Sequence, residues 1–517
     1  MNDGLQGAGT TAGRTVLLLA IFAIAACGLV FELLGGTVAS YLAGNYVTQF
    51  SLVVGLFLTA MGVGSYLSRF IRSRLLEAFI LAELALGVWG GLSALMLFWG
   101  YAILPAFTAV LVAVVAVCGT LVGLELPLLI RVLKEESPLR AALSDALAFD
   151  YLGALAASLI FPLVLLPTLG LARAGIATGL INVAVAGLVI WRPPVPLANT
   201  RRLKLLAWLA AAVLAAGFAG AGTLTRSAED LLYQDEIILA QTTPYQRIIV
   251  TRWREDIRLY LDGNIQFSSL DEARYHEALT HPALSAAVHP ATVLILGGGD
   301  GLAVREALKY PSVQRVDLVD IDPEILRLFR KVPLLSALNG DVLTDPRVTL
   351  HPLDAMEFLE QQHGVWDVII ADLPDPNHES LAKLYSRGFY LLVQRRLAPR
   401  GLFVTQATSP FYAPAAFSCI VRTVESVFAN SEVSTRAIWP YHCNVPSFGE
   451  WGFVLAAPAD VQPGSGRLPE PLRFLTPPVL RGMFDFPRDT APGAAPVNSL
   501  DDPVLVRLYE RGFRTYH

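Results

Sequence analysis

The first 224 residues form a succession of apolar segments, each close to the roughly 20 residues that a helix needs to cross a bilayer. Gly and Ala are frequent inside them, as close helix packing in lipid requires. Composition agrees, because hydrophobic residues make up 54% of the 517 residues and charged residues only 16%. We therefore expect an N-terminal α-helical transmembrane bundle of about seven helices over residues 1–224, embedded in the lipid bilayer of the cell membrane. The predicted spans are 15–38, 47–70, 75–98, 102–126, 146–168, 170–191 and 204–223.

Basic residues cluster in alternate loops between these spans. The positive-inside rule places such loops, and with them the N-terminus, in the cytoplasm. Seven crossings would then leave the rest of the chain outside, whereas six would return it to the cytoplasm. The basic residues concerned are Arg69, Arg72 and Arg74, then Arg131, Lys134 and Arg140, then Arg192, Arg201, Arg202 and Lys204.

The character of the chain changes after Arg226, where charged residues become common. Segment 246–261 alternates β-forming residues and is followed by the turn Asp262-Gly263-Asn264, which predicts a small β-hairpin domain over 225–283. Later strand candidates alternate with helical stretches, a pattern typical of a doubly wound parallel sheet. We expect a C-terminal α/β Rossmann-like domain of the methyltransferase type over 284–480 and a C-terminal tail over 481–517. From Pro458 onward the chain is rich in Pro and Gly, which predicts loop-like structure apart from one short helix near Pro503–Gly512. The strand candidates are 292–296, 316–319, 348–351, 365–371 and 401–406.

A glycine-rich loop, residues 297–301, follows the first of these strands and precedes a helix. Glycines without Cβ atoms let a ligand approach the backbone, which predicts a nucleotide-type site. The next strand ends at Asp320, where an acid can accept hydrogen bonds from ribose hydroxyls. Asp354 follows the third strand and could accept a hydrogen bond from an adenine amino group.

The fourth strand ends in the acidic motif Asp372-Leu373-Pro374-Asp375-Pro376. Successive strand ends therefore carry acids or glycines at the edge where open α/β sheets bind ligands. No phosphate-binding GxxxxGK[ST] motif is present in the sequence, and Asp300 inside the glycine loop would repel a pyrophosphate. These acids favour a cationic ligand, such as a sulfonium or an amine.

Other classes of site are disfavoured. The net charge of −5 gives no sign of a nucleic-acid binder, which would normally show a basic face. The cysteines at 27, 118, 419 and 443 form no CxxC pair, so we expect neither a zinc site nor a disulfide framework, and no metal.

With these motifs the chain resembles the spermidine synthase (polyamine aminopropyltransferase) family from Tyr245 to Phe453. The helical half is similar to the membrane module that some bacterial members carry. The matching pieces run in the family's order: Tyr245-Gln246, Leu261 to Gln266, Asp271-Glu272, Tyr275-His276-Glu277, Thr280-His281-Pro282, Gly297 to Gly301, Asp320, Asp354, Asp372 to Pro376, Leu384-Tyr385, Phe389-Tyr390, Thr405-Gln406 and Trp451-Gly452-Phe453.

The resemblance implies transfer of an aminopropyl group from decarboxylated S-adenosylmethionine to an amine, putrescine by default, giving spermidine and methylthioadenosine. It implies Asp372 as the catalytic acid/base residue, and a possible homodimer. Implied amine contacts are Tyr275, His276, Asp375 and Gln406. Implied cofactor contacts are Gln246, Gln266, Gly297, Gly299, Asp300, Gly301, Asp320, Asp354, Ala355 and Pro376.

Departures from the family's pattern leave the acceptor amine open. Leu373 and Pro374 replace small residues between the two acids, and Val445 stands where a substrate-side tyrosine is usual. Two alternatives remain: an S-adenosylmethionine-dependent methyltransferase, and a polyamine-binding transporter or sensor without turnover. Because the adenosyl-sulfonium donor is made in the cytoplasm, we expect the catalytic domain there. That expectation requires an interfacial seventh segment or one crossing fewer than seven.

Overall fold

A computed structural model describes residues 3–43, 46–104, 106–134, 139–193, 195–233, 235–429, 436–464 and 466–515. The chain divides into two compact units, Met1–Gln234 and Asp235–His517. The first is called the helical unit below and the second the catalytic unit.

The helical unit consists of long apolar helices. Among the described residues, six stretches are long and apolar enough to cross a membrane: Thr15–Leu42, Thr48–Ser68, Leu75–Ile103, Phe107–Leu133, Arg140–Trp191 and Thr200–Tyr233. The helices themselves are α1 (Asp3–Ala43), α2 (Tyr46–Ser68), α3 (Leu75–Ile103), α4 (Phe107–Leu133), α5 (Leu139–Ile160), α6 (Leu166–Trp191) and α7 (Thr200–Tyr233).

The six apolar stretches contain the expected seven helices because one stretch, Arg140–Trp191, contains both α5 and α6. This stretch has 52 residues, because a π-helical turn, Phe161–Leu165, joins α5 directly to α6. Gly170 interrupts it with non-helical backbone, φ 70° and ψ 176°. The sequence-based boundary between 168 and 170 therefore coincides with a real break in the helix.

A four-stranded antiparallel sheet, counted over the described residues, opens the catalytic unit. Its strands follow one another in chain order: β1 (Glu236–Thr242), β2 (Arg247–Trp253), β3 (Asp256–Leu261) and β4 (Asn264–Ser268). Asp262 and Gly263 both have positive φ, 47° and 80°, as the tight hairpin turn between β3 and β4 requires. The predicted small β domain is thus a sheet rather than a single hairpin.

The larger sheet has seven strands in the described part of the chain, in the order β10-β11-β9-β8-β5-β6-β7. Strands β5 to β9 are parallel, and β10 and β11 form an antiparallel hairpin at one edge. All five predicted strands are present, whereas the edge hairpin was not predicted. The strands are β5 (Thr292–Gly297), β6 (Arg315–Asp320), β7 (Val348–Pro352), β8 (Trp366–Asp372), β9 (Leu397–Gln406), β10 (Arg436–Val445) and β11 (Gly449–Pro458).

Helices cover both faces of this sheet. Along β5, Val293 and Ile295 enter one apolar cluster and Leu294 and Leu296 the other, which explains why the strand is continuously hydrophobic. The helices are α8 (Glu272–Ala286), α9 (Leu302–Ala307), α10 (Pro323–Lys331), α11 (Pro333–Asn339), α12 (Ala355–Gln361), α13 (Glu379–Ala382), α14 (Arg387–Arg395), α15 (Pro414–Phe428), α16 (Pro477–Gly482) and α17 (Val504–Phe513).

Candidate active site

The glycine loop and the acidic motif lie side by side in the large sheet. From β5 the chain moves outward to β6 and β7 and then returns to β8 on the other side of β5. Open α/β sheets bind ligands at such a switch point. Gly297, at the end of β5, is the register partner of Asp372, at the end of β8. The predicted cofactor loop and the predicted acid/base residue therefore lie at the same edge.

The loop after β5 has a backbone that favours glycine. The φ angle is 82° at Gly297 and 66° at Gly298, a region that L side chains rarely adopt. Space is also restricted: a Cβ at Gly298 would lie 2.6 Å from Oδ2 of Asp372, and one at Gly299 would lie 2.6 Å from Oδ2 of Asp320. The loop thus packs directly against two of the predicted site acids.

Asp300 and Gly301 complete this loop. Gly301 has a φ of 78° and precedes α9. The side chain of Asp300 is buried, and its Oδ1 accepts a hydrogen bond from the Leu302 amide at 2.9 Å. Burial raises the pKa of Asp300, and the nearby His276 partly offsets the increase.

Asp320 is anchored by the backbone. Its Oδ2 accepts from the Gly299 amide at 3.0 Å and its Oδ1 from the Asp322 amide at 2.9 Å. Burial nevertheless raises the pKa of Asp320 to about 6. A carboxylate offers about four acceptor positions, so each oxygen retains capacity for a ribose hydroxyl.

The two predicted glutamines lie in different surroundings. Gln246 donates from Nε2 to Oδ2 of Asp322 at 2.9 Å, two residues beyond the anchored Asp320. Gln266 lies on β4, where its Nε2 donates to the Asn264 carbonyl at 3.1 Å. The structure thus links Gln246 to the segment that follows β6, and Gln266 to its own strand.

Asp354, Ala355 and Pro376 were predicted on the adenine side. Asp354 caps α12, which begins at Ala355, by accepting from the Met356 amide at 2.8 Å. Its Oδ2 also accepts from Nζ of Lys383 at 2.8 Å. Burial would raise the pKa of Asp354, but Lys383 and the cap amides hold it below its usual value. Pro376 is buried at the end of the acidic motif.

Asp372 lies among both acidic and cationic neighbours. The Tyr275 hydroxyl donates to its Oδ1 at 2.8 Å. Burial raises the pKa of Asp372 to about 6, and Asp300 adds to the increase, whereas His276 and Tyr275 oppose it. At neutral pH this carboxyl group is therefore deprotonated and able to accept a proton.

His276 is a buried cation in this acidic surrounding. Its Nδ1 lies 2.8 Å from the Glu272 carbonyl and 3.2 Å from Oε2 of Glu272. Burial disfavours the charged ring, but the Glu272, Asp300 and Asp372 carboxylates together raise the pKa of His276 to about 9. A protonated His276 partly neutralises the pocket and keeps its acids ionised.

Asp375 has one engaged and one open oxygen. Its Oδ2 accepts from the Tyr509 hydroxyl at 2.8 Å and from Oγ1 of Thr408 at 3.4 Å. Its Oδ1 is buried and has no hydrogen-bond partner among the described residues. Burial raises the pKa of Asp375 to about 6, and the side chains of Tyr509, Gln406 and Thr408 oppose the increase. The open oxygen can accept from an ammonium group.

Gln406 supports the acidic motif from β9. Its Nε2 donates to the Leu373 carbonyl at 2.8 Å and contacts the Tyr385 hydroxyl, and its Oε1 accepts from the Thr408 amide at 2.8 Å. The amide group is therefore largely used in holding the backbone between the two acids. Its predicted contact with the amine stays a prediction.

Sequence reasoning missed Tyr509 and Lys383. Tyr509 lies on α17, which corresponds to the one short helix predicted in the otherwise loop-like tail. It is 134 residues from Asp375, the acid that it contacts. Lys383 lies 29 residues after Asp354. No local motif marks either residue as part of the site. The amphipathic pattern of segment 504–513, which places Tyr509 on the buried side of a helix, is the one sequence signal that could have pointed to this tyrosine.

Known proteins resemble this chain over nearly its full length. The family profile "Spermine/spermidine synthase domain" matches residues 272–459. A "Polyamine aminopropyltransferase 2" from Ralstonia nicotianae is 47% identical over 507 residues, 96% of this chain and 98% of that protein. A "Polyamine aminopropyltransferase" from Leptospira interrogans is 43% identical, covering 96% of this chain and 98% of that one.

A solved structure of a spermidine synthase in complex with the transition state analogue AdoDATO is 25% identical, with a TM-score of 0.45. It covers 49% of this chain and 86% of that chain. The extent of identity to the curated relatives decides the family. The chain belongs to the polyamine aminopropyltransferase family, of which the spermidine synthases are members.

Proposed function

We propose that the catalytic unit transfers an aminopropyl group from decarboxylated S-adenosylmethionine to an amine, putrescine by default. The products are spermidine and methylthioadenosine. The observation that carries the proposal is the set of carboxylates at the switch point of the sheet, with Asp300 buried and Asp372 and Asp375 half-buried. Both substrates are cations, and buried carboxylates attract cations strongly where solvent screening is weak.

The residues present fit such a donor. Asp320 suits the ribose hydroxyls, and the glycine loop leaves its backbone open to a nucleoside. When bound, the donor supplies a carbon made electrophilic by the adjacent sulfonium. Asp300 suits the amine tail of a decarboxylated donor and would repel the carboxylate of S-adenosylmethionine, which favours aminopropyl transfer over methyl transfer.

Asp372 supplies the proton acceptor. A primary ammonium cannot attack carbon until it loses a proton, and a carboxylate within hydrogen-bond reach can take it. The new N–C bond forms as the C–S bond breaks, and the electron pair of that bond neutralises the sulfur. Asp375 holds the amine. The hydrogen bonds that Tyr275 donates to Asp372, and that Tyr509 and Thr408 donate to Asp375, fix the orientation of both carboxylates before reaction.

One assay tests this function. The full-length protein in detergent is incubated with decarboxylated or intact S-adenosylmethionine and a panel of amines, and products are followed by mass spectrometry. We expect methylthioadenosine only with the decarboxylated donor, and the amine that supports the highest rate identifies the acceptor. Methylated amine with adenosylhomocysteine would indicate the methyltransferase, and amine binding without product would indicate the transporter or sensor.

We also propose that the chain spans the membrane several times and that the catalytic unit faces the cytoplasm. At about 1.5 Å per residue, the 52 residues of Arg140–Trp191 far exceed a single bilayer crossing, so α5 and α6, joined by the π-helical turn Phe161–Leu165, each cross once. Segments α1 to α6 then return the chain to the cytoplasm, and α7, basic at its start, lies at the interface.

Reporter fusions after His517 test this topology. Fluorescence of a green fluorescent protein fusion is expected, because that protein matures in the cytoplasm. Activity of an alkaline phosphatase fusion would instead show that α7 crosses as a seventh span. A homodimer is proposed by family analogy alone, and light scattering of the solubilised protein tests it.

A further inference from the structure

The C-terminal helix α17 reaches the acidic motif through one side chain. The Tyr509 hydroxyl donates to Oδ2 of Asp375 at 2.8 Å. Oδ1 of the same carboxylate remains buried without a partner in the described part of the chain. Tyr509 therefore engages one oxygen of the pair and leaves the other for a ligand.

The helix is held firmly enough to define where Tyr509 lies. Leu505 is fully buried, and its amide donates to Oδ1 of Asn498 at 3.3 Å. Asn498 in turn donates to the Ala382 carbonyl at 2.9 Å. At the other end, a Cβ on Gly512 would lie 2.6 Å from Cα of Ala413, so the helix contacts the domain closely there.

The type of donor matters for an amine site. A lysine or arginine beside Asp375 would cancel the charge that attracts an ammonium, whereas a tyrosine hydroxyl donates a hydrogen bond without adding positive charge. Thr408, the other donor to Oδ2, is also neutral. The carboxylate is thus fixed in orientation and retains its negative charge.

We propose that Tyr509 is a positioning residue for the acceptor amine: it fixes Asp375 so that Oδ1 receives an ammonium group. Helix α17, which lies beyond the matched domain, then forms part of the acceptor site. This inference rests on the proposed aminopropyl transfer and assigns Tyr509 no contact with the donor nucleoside.

The test is steady-state kinetics of full-length Tyr509→Phe in detergent, with putrescine and decarboxylated S-adenosylmethionine varied separately. Phenylalanine keeps the ring, whose centroid lies 4.6 Å from that of Phe513, and removes only the hydroxyl. We expect KM for the amine to rise about tenfold, the scale of one hydrogen bond to a charged group. The kcat and the KM for the donor should stay within about twofold, since neither depends on Asp375 alone.

Arg507→Ala is the matched control, because Arg507 lies on the same helix in an exposed ion pair with Asp502. Its kinetics should match those of the wild type. An unchanged amine KM in Tyr509→Phe would overturn the proposal, as would an equal loss toward donor and amine accompanied by a lower melting temperature. Wild-type turnover is measured first, so that absence of methylthioadenosine there counts against the proposed function and not against Tyr509.

Discussion

The hydroxyl of Tyr275 and Oδ1 of Asp372 are 2.8 Å apart, although the residues lie 97 positions from each other in the sequence. The bond joins helix α8 to the end of β8 and directs a neutral donor at the proposed proton acceptor. It also lowers the pKa of Asp372 against the raising effect of burial.

Turnover should fall as the pH drops through about 6. The pKa values of Asp372 and Asp375 are both raised to about 6, and both groups act as carboxylates, so protonation of either removes activity. Tyr275→Phe should move this acidic limb to higher pH, because the variant loses a hydrogen bond that favours the ionised acid. The measurement is kcat over KM for the amine against pH.

Tyr310→Phe is the control for that profile, since the Tyr310 hydroxyl contacts Nδ1 of His281 rather than a site acid. Its acidic limb should coincide with that of the wild type. A limb near pH 4 in the wild type, the ordinary range for aspartate, would contradict the assigned role of these buried acids.

Asp372→Asn should reduce turnover by roughly a thousandfold, within the range that general base catalysis contributes. Asparagine has a similar shape and still accepts a hydrogen bond from Tyr275, but it cannot take a proton from the amine. Donor affinity, measured by calorimetry, should change less than about tenfold. Retention of most of the wild-type turnover by this variant would show that another group accepts the proton.

Gly298→Ala should damage the site more than an ordinary glycine substitution does. Its Cβ would lie 2.6 Å from Oδ2 of Asp372, and its φ is 66°. Gly340→Ala is a matched control, because φ there is 70° but nothing lies within 4 Å of the added Cβ. Both variants should lose about 1 kcal/mol of stability from backbone strain. Only Gly298→Ala should lower turnover by tenfold or more, and equal turnover in the two variants would contradict this.

Lys383→Met should raise KM for the donor several-fold and leave KM for the amine unchanged. Lys383 contacts Oδ2 of Asp354 at 2.8 Å, the acid predicted to meet the adenine, and without it Asp354 loses a charged partner. The pair is partly exposed, so the effect should be modest. Lys331→Met, at an exposed lysine ending α10, is the control. A rise in the amine KM would show that Asp354 acts on the amine side of the site and not on the adenine side.

Much of this architecture could be predicted from the sequence, because the burial of a strand and the residues at its end show in the local pattern of residues. Strand β5 is apolar from Val293 to Leu296 and is followed by glycines. Asp320 and Asp372 each end a buried strand, so parallel pairing brings them to one edge. The hairpin of β10 and β11 escaped prediction, because β10 contains Pro440 and has no clear alternation of polar and apolar residues.

Contacts between distant segments could not be predicted. Tyr509 meets Asp375 only because α17 docks on the domain, and that docking depends on the shape of a surface that no local pattern records. The seven expected helices, α1 to α7, are present in the described part of the chain. Composition marks only apolar length, however, so the direct junction of α5 to α6 through the π-helical turn Phe161–Leu165 could not be predicted.

Glu277→Gln should destabilise the catalytic unit by about 3 kcal/mol. Glu277 is fully buried, and it accepts from the amides of Arg473 at 2.7 Å, Phe474 at 2.9 Å and Leu475 at 2.8 Å. These bonds attach the tail to α8. Glutamine would offer one oxygen and would turn an NH₂ group toward backbone N–H donors, so at least one buried donor would lose its partner.

Thermal unfolding of the solubilised protein measures the effect, and a fall in Tm of roughly 5–10 °C corresponds to that loss for a domain of this size. Glu425→Gln is the control, because Glu425 forms an exposed pair with Arg422 one turn away, and such surface pairs contribute little. Because the same tail continues to α17, Glu277→Gln should also raise the amine KM. A variant with wild-type Tm would show that the tail is held by other contacts.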